Sequence, residues 1–219
     1  MNDSAWGIAA IGAFAYLLGG VPVGWLLART RAGVDIRQYG SGNVGTSNIY
    51  RNLDTGLAVV VGPAQFLQGL VPVLVADWLG FPVGVRALVA VCAVIGNGWP
   101  VWLGFNGGRG IAVATGAVAG LSLVGLGALL VFYAVGAVTR QIALGVLAGF
   151  VVLPIVTGIL VGRATALACA ALLLIVLLRR LEGVFSDTHD HGRTLPIILR
   201  RLARDERPGR PLVGRRIDG

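Results

Sequence analysis

Residues 105–138 read FNGGRGIAVATGAVAGLSLVGLGALLVFYAVGAV, a polar glycine-rich turn followed by an uncharged apolar run over residues 111–138. About 20 apolar residues suffice to cross a bilayer as a helix, so this run is longer than one crossing needs. We therefore expect it to turn back as two short helices, which is tolerated where protein or a wet cavity covers the backbone. Places where the chain can bend are Gly116, Gly120, Ser122, Gly125 and Gly127.

Apolar runs flank this stretch on both sides. The further expected spans are residues 5–28, 56–75, 84–103, 141–161 and 164–178. Arginines follow the first and third of these, so the positive-inside rule places both following loops in the cytoplasm. A single crossing at 111–138 would leave the arginine-rich tail outside, whereas two short helices return it inside. The sequence predicts an all-α integral membrane protein with seven helical segments, two of them short and re-entrant, the N-terminus outside and the C-terminus cytoplasmic.

Composition supports a membrane setting. The chain of 219 residues is 56% hydrophobic and 13% charged, with a mean hydropathy of +0.81, whereas soluble domains carry about 25% charged residues. The first apolar run lacks a preceding basic region and is followed by Arg29 and Arg31, which is typical of an anchor helix rather than a cleaved signal. We expect one membrane domain over residues 1–195 and a basic cytoplasmic tail over residues 196–219.

The net charge is +8, and every basic residue that contributes to it is an arginine, since the chain has no lysine. Ten of the eighteen arginines lie from Arg179 onward. A basic tail can indicate nucleic-acid binding, but this one adjoins an apolar helix, where arginine sets topology and contacts anionic lipid. We therefore expect membrane lipid, and no nucleic acid, as a partner.

The first polar loop holds three glycines, three Ser or Thr hydroxyls, two amides and an arginine between residues 40 and 51. Glycines let the backbone turn its N–H groups toward one point, which forms a concavity for anions. Phosphate or carboxylate is the natural guest of such a loop. The alternative is a plain turn followed by a helix capped by Asn or Ser.

The second polar loop, Asn106-Gly107-Gly108-Arg109-Gly110, opens the apolar run that begins at Ile111. Glycines ahead of a helix N-terminus expose N–H donors to an incoming anion. The loop lacks the G-x-x-x-x-G-K-[ST] pattern of a nucleotide-binding Walker loop. The alternative is a flexible hairpin whose arginine only follows the inside rule.

The two histidines of the chain, His189 and His191, flank Asp190 beyond the last apolar run. They could serve acid–base chemistry or bind a metal. No other histidine exists to complete a metal site, so we expect no metal. The alternative to a functional role for these histidines is a solvated tail. Cys92 and Cys169 lie inside apolar runs, where they are expected to be small buried side chains.

At its two loops the chain resembles the bacterial membrane acyltransferases that use acyl phosphate to acylate glycerol-3-phosphate. The first motif of that family, G-S-G-N-x-G-A-T-N followed by Arg, is similar to residues 40–48 with Arg51. The second motif, G-H-x-x-P-V-x-L-x-F-K-G-G-K-G-V-A-T, is similar to residues 96–113. The motifs stand in the family's order, and the resemblance covers residues 1 to about 195.

The resemblance implies a seven-helix protein of the bacterial inner membrane, multi-pass, with its motifs facing the cytoplasm. The implied reaction makes lysophosphatidic acid and phosphate from acyl phosphate and glycerol-3-phosphate, without a cofactor. It implies catalytic roles for Ser41 and Arg51. His191 fits the histidine of the third motif, H-R-x-N-I-x-R-L, with His189 as an alternative register. Substrate-binding positions would be Gly42, Asn43, Gly45, Thr46, Ser47, Asn48, Asn97, Asn106, Gly107, Gly108, Arg109 and Gly110.

Several family positions carry other residues here. Asn97 replaces the histidine of the second motif, and Asn106 and Arg109 replace its two lysines. An Asp and a Lys of the second span correspond to Gln65 and Gln68, and a serine before the sixth segment corresponds to Ala143. Two alternatives stay open: a non-catalytic relative that binds phosphate or lipid, and a small-solute transporter, which would need a polar pathway from both sides.

Overall fold

The computed structural model describes residues 4–182, and that part of the chain is helical without strands. The basic tail of residues 196–219 lies outside this range. Short 3₁₀ turns at Ile36–Gln38 and Val101–Leu103 precede the two glycine-rich loops. The α-helices of the described part are α1 (Ala5–Gly19), α2 (Val23–Ala32), α3 (Thr46–Asn52), α4 (Thr55–Trp78), α5 (Val83–Gly98), α6 (Ile111–Leu121), α7 (Leu123–Val138), α8 (Ile142–Leu160) and α9 (Arg163–Leu181).

Seven apolar helical segments build the bundle, as the sequence predicts. Five stretches are long and apolar enough to cross a membrane, namely Ala5–Ala32, Thr55–Trp78, Val83–Leu103, Ile142–Leu160 and Arg163–Leu181. The two shorter apolar helices are α6 and α7. Apolar side chains fill the interior and also cover the outside, where Val131, Ile155 and Leu167 are each more than 60% exposed. A surface of this kind suits lipid rather than water.

The predicted span over residues 5–28 lies within the apolar stretch Ala5–Ala32, but this stretch is two helices rather than one continuous helix. It breaks between α1 and α2, where Pro22 lacks the N–H group that would continue the helix. Gln68 of α4 donates its amide hydrogens to the carbonyls of Leu18 at 3.0 Å and Val21 at 2.8 Å. A buried side chain thereby satisfies backbone acceptors at the break.

The run over residues 111–138 does turn back. Ser122 adopts an extended conformation between α6 and α7, and its hydroxyl accepts a hydrogen bond from the Gly125 N–H at 3.0 Å. The hydroxyls of Thr115 and Tyr133 lie 2.8 Å apart, whereas residues 18 positions apart in one straight helix would be separated by about 27 Å. The two short helices therefore form a hairpin that reverses at Ser122.

Two of the glycines expected to bend this run serve helix packing instead. Gly116 and Gly120 both lie within α6, which packs closely against α4. A Cβ atom at Gly116 would be 1.8 Å from the Phe66 carbonyl oxygen, and one at Gly120 would be 2.8 Å from the Val73 Cβ. Small residues of this kind let membrane helices approach closely.

Candidate functional site

A cavity of about 420 Å³ lies at the end of the bundle that carries the two glycine-rich loops. Arg51 follows the first loop and Arg109 lies in the second, and both line it. The described residues that line the cavity include three guanidinium groups and no acidic side chain. The full lining is Asn43, Gly45, Thr46, Ser47, Tyr50, Arg51, Gln65, Asn97, Arg109, Gly110, Ile111, Ala112, Tyr133, Ile142, Ala143, Val146 and Arg180.

Asn48 holds the first loop together and does not line the cavity. Its Nδ2 donates to the carbonyls of Ile36, Tyr39 and Asn43 at 2.9–3.3 Å. Its Oδ1 accepts the Ser41 N–H at 3.0 Å. This amide is 2% exposed, so it acts as a buried hub that fixes the loop, and its substrate-binding role stays a prediction.

Ser41 also lies within the loop scaffold. Its Oγ accepts the Asn43 N–H at 3.4 Å, and neither Ser41 nor Gly42 is among the residues that line the cavity. Asn43 lines the cavity, and its Oδ1 accepts the Gly45 N–H at 3.1 Å. The structure therefore links Ser41 to the cavity through Asn43.

The beginning of α3 supplies hydroxyl groups to the cavity. Thr46 and Ser47 both line it, and Thr46 Oγ1 donates to Gln65 Oε1 at 3.2 Å. Gln65, which replaces a family carboxylate, is 5% exposed. This glutamine orients a threonine of the first loop from the neighbouring helix α4.

The second loop is fixed from the far end of the chain by Arg179, a residue that the sequence marked only as juxtamembrane. Its Nε and one Nη donate to the carbonyls of Gly108 and Gly107, each at 2.9 Å. The guanidinium carbon lies 5.2 Å from the centre of the Trp99 ring, within the range of a cation–π contact. Arg179 also forms an ion pair with Glu182.

Gly107 and Gly108 shape the second loop but do not line the cavity. A Cβ atom at Gly107 would be 2.2 Å from the Asn97 carbonyl oxygen, and one at Gly108 would be 2.6 Å from Asn97 Oδ1. Glycine is therefore needed for close approach to the end of α5. Asn106 is exposed and lies outside the cavity lining.

Arg109 and the start of α6 face the cavity together. Arg109 is 5% exposed. Gly110 precedes the helix in the left-handed region with φ 75°, a conformation that glycine adopts without strain. The first N–H groups of α6, from Ile111 and Ala112, have no carbonyl partner within the helix and lie at the positive end of its dipole.

Among the described residues of the cavity lining, Arg180 is the charged side chain that sequence reasoning did not assign to a site. It is 1% exposed, although it stands at the last turn of the apolar helix α9, and one Nη lies 3.4 Å from the Ala143 carbonyl oxygen. The sequence signal that could have identified Arg180 was its position, since Arg179 and Arg180 are the first charged residues after the apolar run. Charge alone could not separate a lipid-facing arginine from one that packs inward. His191 lies outside the described residues, so its role stays a prediction.

An ion pair next to the first loop lies outside the cavity. Arg37 donates two hydrogen bonds to Asp35, and its guanidinium lowers the pKa of that carboxyl from 3.8 to about 2. Residues 4–182 contain no cluster of three metal-ligating side chains, and Cys92 and Cys169 are not paired in a disulfide.

Comparisons with known proteins agree with this geometry. Residues 9–184 match the protein family described as glycerol-3-phosphate acyltransferase. A Geobacter sulfurreducens protein of that name is 46% identical over 146 residues, which cover 65% of this chain and 74% of the relative. Glycerol-3-phosphate acyltransferase 4 of Dehalococcoides mccartyi is 33% identical over 201 residues, which cover 87% and 85%.

Two solved structures share the fold. Both are crystal structures of PlsY, described as an integral membrane glycerol 3-phosphate acyltransferase. The glycerol 3-phosphate form has a TM-score of 0.75 and 28% identity, and covers 85% of this chain and 93% of that one. The lysophosphatidic acid form has a TM-score of 0.72 and 27% identity over the same shares.

Proposed function

The chain belongs to the glycerol-3-phosphate acyltransferase family, and we propose that its cavity transfers an acyl group from acyl phosphate to glycerol-3-phosphate. The reaction is a step of phospholipid synthesis that yields lysophosphatidic acid and inorganic phosphate. The protein is a multi-pass membrane enzyme of that class. Acyl phosphate as the donor, and the roles of individual residues, are the parts that need testing.

The main support for this proposal is the cluster of arginines that line the cavity. Arg51, Arg109 and Arg180 line one cavity with the N-terminus of α6, and no acidic side chain of the described part joins them. Both substrates carry a phosphate group, so binding them together requires cations that screen their mutual repulsion. Guanidinium groups and helix N-termini are well suited to phosphate.

The chemistry needs little from the protein beyond binding and orientation. Acyl phosphate is an activated mixed anhydride, so a hydroxyl oxygen of glycerol-3-phosphate attacks the acyl carbon and inorganic phosphate leaves. Arg51 and Arg109 neutralise the phosphate groups, and backbone N–H groups polarise the carbonyl oxygen as charge develops. His191 is proposed for proton transfer.

The replaced family positions are integrated into this fold, which agrees with a folded member of the family. Gln65 accepts a hydrogen bond from Thr46, and Gln68 donates two to the break after α1. Asn97 Nδ2 lies 3.4 Å from the Gly19 carbonyl oxygen. Buried amides with partners of this kind stabilise the bundle.

The arginine distribution supports a cytoplasmic site in a bacterial inner membrane. The described part contains ten arginines, and the course of the helices puts only Arg86 and Arg163 at the end opposite the cavity. Arginine accumulates on the cytoplasmic side of membrane proteins. We therefore place the loops and the cavity in the cytoplasmic half and the N-terminus outside.

The test is an assay of the purified full chain in lipid nanodiscs with palmitoyl phosphate and glycerol-3-phosphate. We expect one inorganic phosphate released for each lysophosphatidic acid formed, and no product from palmitoyl-CoA. Arg51→Ala and Ser41→Ala should each lower turnover at least about tenfold. Arg86→Ala, at the opposite end of the bundle, is the matched control and should retain wild-type turnover.

The two alternatives give different outcomes. A non-catalytic relative would release no phosphate from acyl phosphate, yet glycerol-3-phosphate would raise its melting temperature. A transporter would need a polar path to the other side. A further cavity near Phe14, Val75 and Phe81 has an apolar lining, so it does not supply such a path.

A further inference from the structure

A pair of hydroxyl groups joins the α6–α7 hairpin beside the cavity. Thr115 Oγ1 lies 2.8 Å from the Ile111 carbonyl oxygen and 2.8 Å from the Tyr133 hydroxyl oxygen. A carbonyl cannot donate, so the single hydrogen of the Thr115 hydroxyl must point to Ile111. The contact with Tyr133 is then a hydrogen bond that Tyr133 donates.

This direction decides what Tyr133 offers to a ligand. Tyr133 lines the cavity, and because its only hydroxyl hydrogen is used by Thr115, its oxygen can act toward a ligand only as a hydrogen-bond acceptor. The arginines that line the cavity can only donate. A phosphate dianion, which has no hydrogen to give, is bound by the arginines and gains nothing from Tyr133. A hydroxyl group of the ligand can donate to it.

We propose that Tyr133 is a specificity-determining residue for the acceptor substrate, and that its oxygen accepts a hydrogen bond from the secondary hydroxyl of glycerol-3-phosphate. This inference rests on the proposed function. The secondary hydroxyl keeps its hydrogen throughout the reaction. A neutral phenol is too weak a base to remove the proton of the attacking hydroxyl, so its acceptor role suits the hydroxyl that does not react.

The position of Tyr133 within the lining agrees with this role. It lines the cavity wall together with Ile142, Ala143 and Val146, whose side chains have no polar atom, and with Arg180, which can only donate. An acceptor substrate held by its phosphate at Arg109 and the start of α6 would present its carbon chain and hydroxyls to such a wall. Tyr133 supplies that wall with a hydrogen-bonding oxygen.

The experiment compares glycerol-3-phosphate with 3-hydroxypropyl phosphate, which lacks the secondary hydroxyl. Dissociation constants and kcat/KM for both are measured on the full chain in nanodiscs, for wild type and Tyr133→Phe. We expect Tyr133→Phe to weaken the binding of glycerol-3-phosphate about tenfold, as loss of one buried hydrogen bond implies. For 3-hydroxypropyl phosphate, the dissociation constant and kcat/KM of Tyr133→Phe should stay within about twofold of the wild-type values. This acceptor has no secondary hydroxyl, so it forms no hydrogen bond to Tyr133 that the substitution could remove.

Further variants separate recognition from packing. Tyr16→Phe removes another interhelical tyrosine hydrogen bond, from Tyr16 to the Trp99 carbonyl oxygen at 2.7 Å, and should leave the preference between the two acceptors unchanged. Thr115→Ser keeps the hydroxyl that orients Tyr133 and should retain the wild-type preference. Equal losses for both acceptors in Tyr133→Phe, or no loss for either, would overturn the proposal.

The acyltransferase function and the role of Tyr133 can be refuted separately. A wild-type protein that makes no lysophosphatidic acid refutes the proposed function. The ratio of the two dissociation constants, measured without acyl donor, still decides the role of Tyr133. An active wild type with an unchanged ratio in Tyr133→Phe refutes only the role of Tyr133.

Discussion

Arg109 stands between two glycines, is nearly fully buried and faces an anion-binding cavity. We propose that a guanidinium in this place binds the phosphate of the acceptor before and during the reaction. Arg109→Ala should therefore raise the KM for glycerol-3-phosphate about tenfold and change kcat by less than about threefold. Steady-state kinetics with saturating acyl phosphate measure both constants.

Arg140 offers the matched control for this substitution. It is exposed in the turn between α7 and α8 and is not part of the cavity lining, so Arg140→Ala should keep the wild-type KM. An unchanged KM in Arg109→Ala, with the whole loss in kcat, would contradict a binding role for Arg109.

The polar residues of the first loop form two sets, one that stabilises the loop and one that lines the cavity. Asn48 and Ser41 make hydrogen bonds within the loop, whereas Thr46, Ser47 and Arg51 face the cavity. Both sets are polar residues in one short stretch. Their residue types predict an anion-binding loop, but only their hydrogen-bond partners tell the scaffold from the lining.

At the level of elements, the contact between α4 and α6 depends on residues without a side chain. A Cβ atom at Gly116 would collide with the Phe66 carbonyl, so Gly116→Ala must push α6 away from α4. Overpacking of this kind costs about 1–3 kcal/mol. We expect a lower melting temperature in detergent and reduced activity, because α6 carries Gly110 and Ile111 to the cavity.

The control for this prediction is Gly127→Ala in α7. A Cβ atom there would meet nothing within 4 Å, and alanine favours a helix over glycine by about 1 kcal/mol. Gly127→Ala should leave the melting temperature unchanged or raise it. Equal destabilisation by both substitutions would show that the close approach of α4 and α6 is not the cause.

For the whole molecule, the folding of α6 and α7 into a hairpin determines on which side the last helix ends. The proposed orientation puts Ser4 outside and the α7–α8 turn, with Thr139, in the cytoplasm. In a background with both native cysteines replaced by serine, Ser4→Cys should react with an impermeant maleimide in intact cells. Thr139→Cys should react only after the membrane is opened. Labelling in the opposite order would reverse the orientation and place the cavity outside.

The sequence by itself determined the membrane class, the seven apolar segments and the two polar loops. These follow from runs of apolar residues and glycine-rich turns that are contiguous in the chain, and the physics of burying a helix in lipid is local. It also determined the family, since the two motifs are continuous. It missed the break at Pro22, where Gln68 from another helix donates to the carbonyls of Leu18 and Val21.

Only the tertiary structure decided which residues share the cavity. Arg51, Arg109 and Arg180 come from three distant parts of the chain, and their meeting depends on how α3, α6 and α9 pack. The hydrogen bond from Tyr133 to Thr115 likewise exists only because the chain reverses at Ser122. Convergence of this kind depends on interhelical distances, which residue types and local spacing do not encode, since many helix packings satisfy the same apolar pattern.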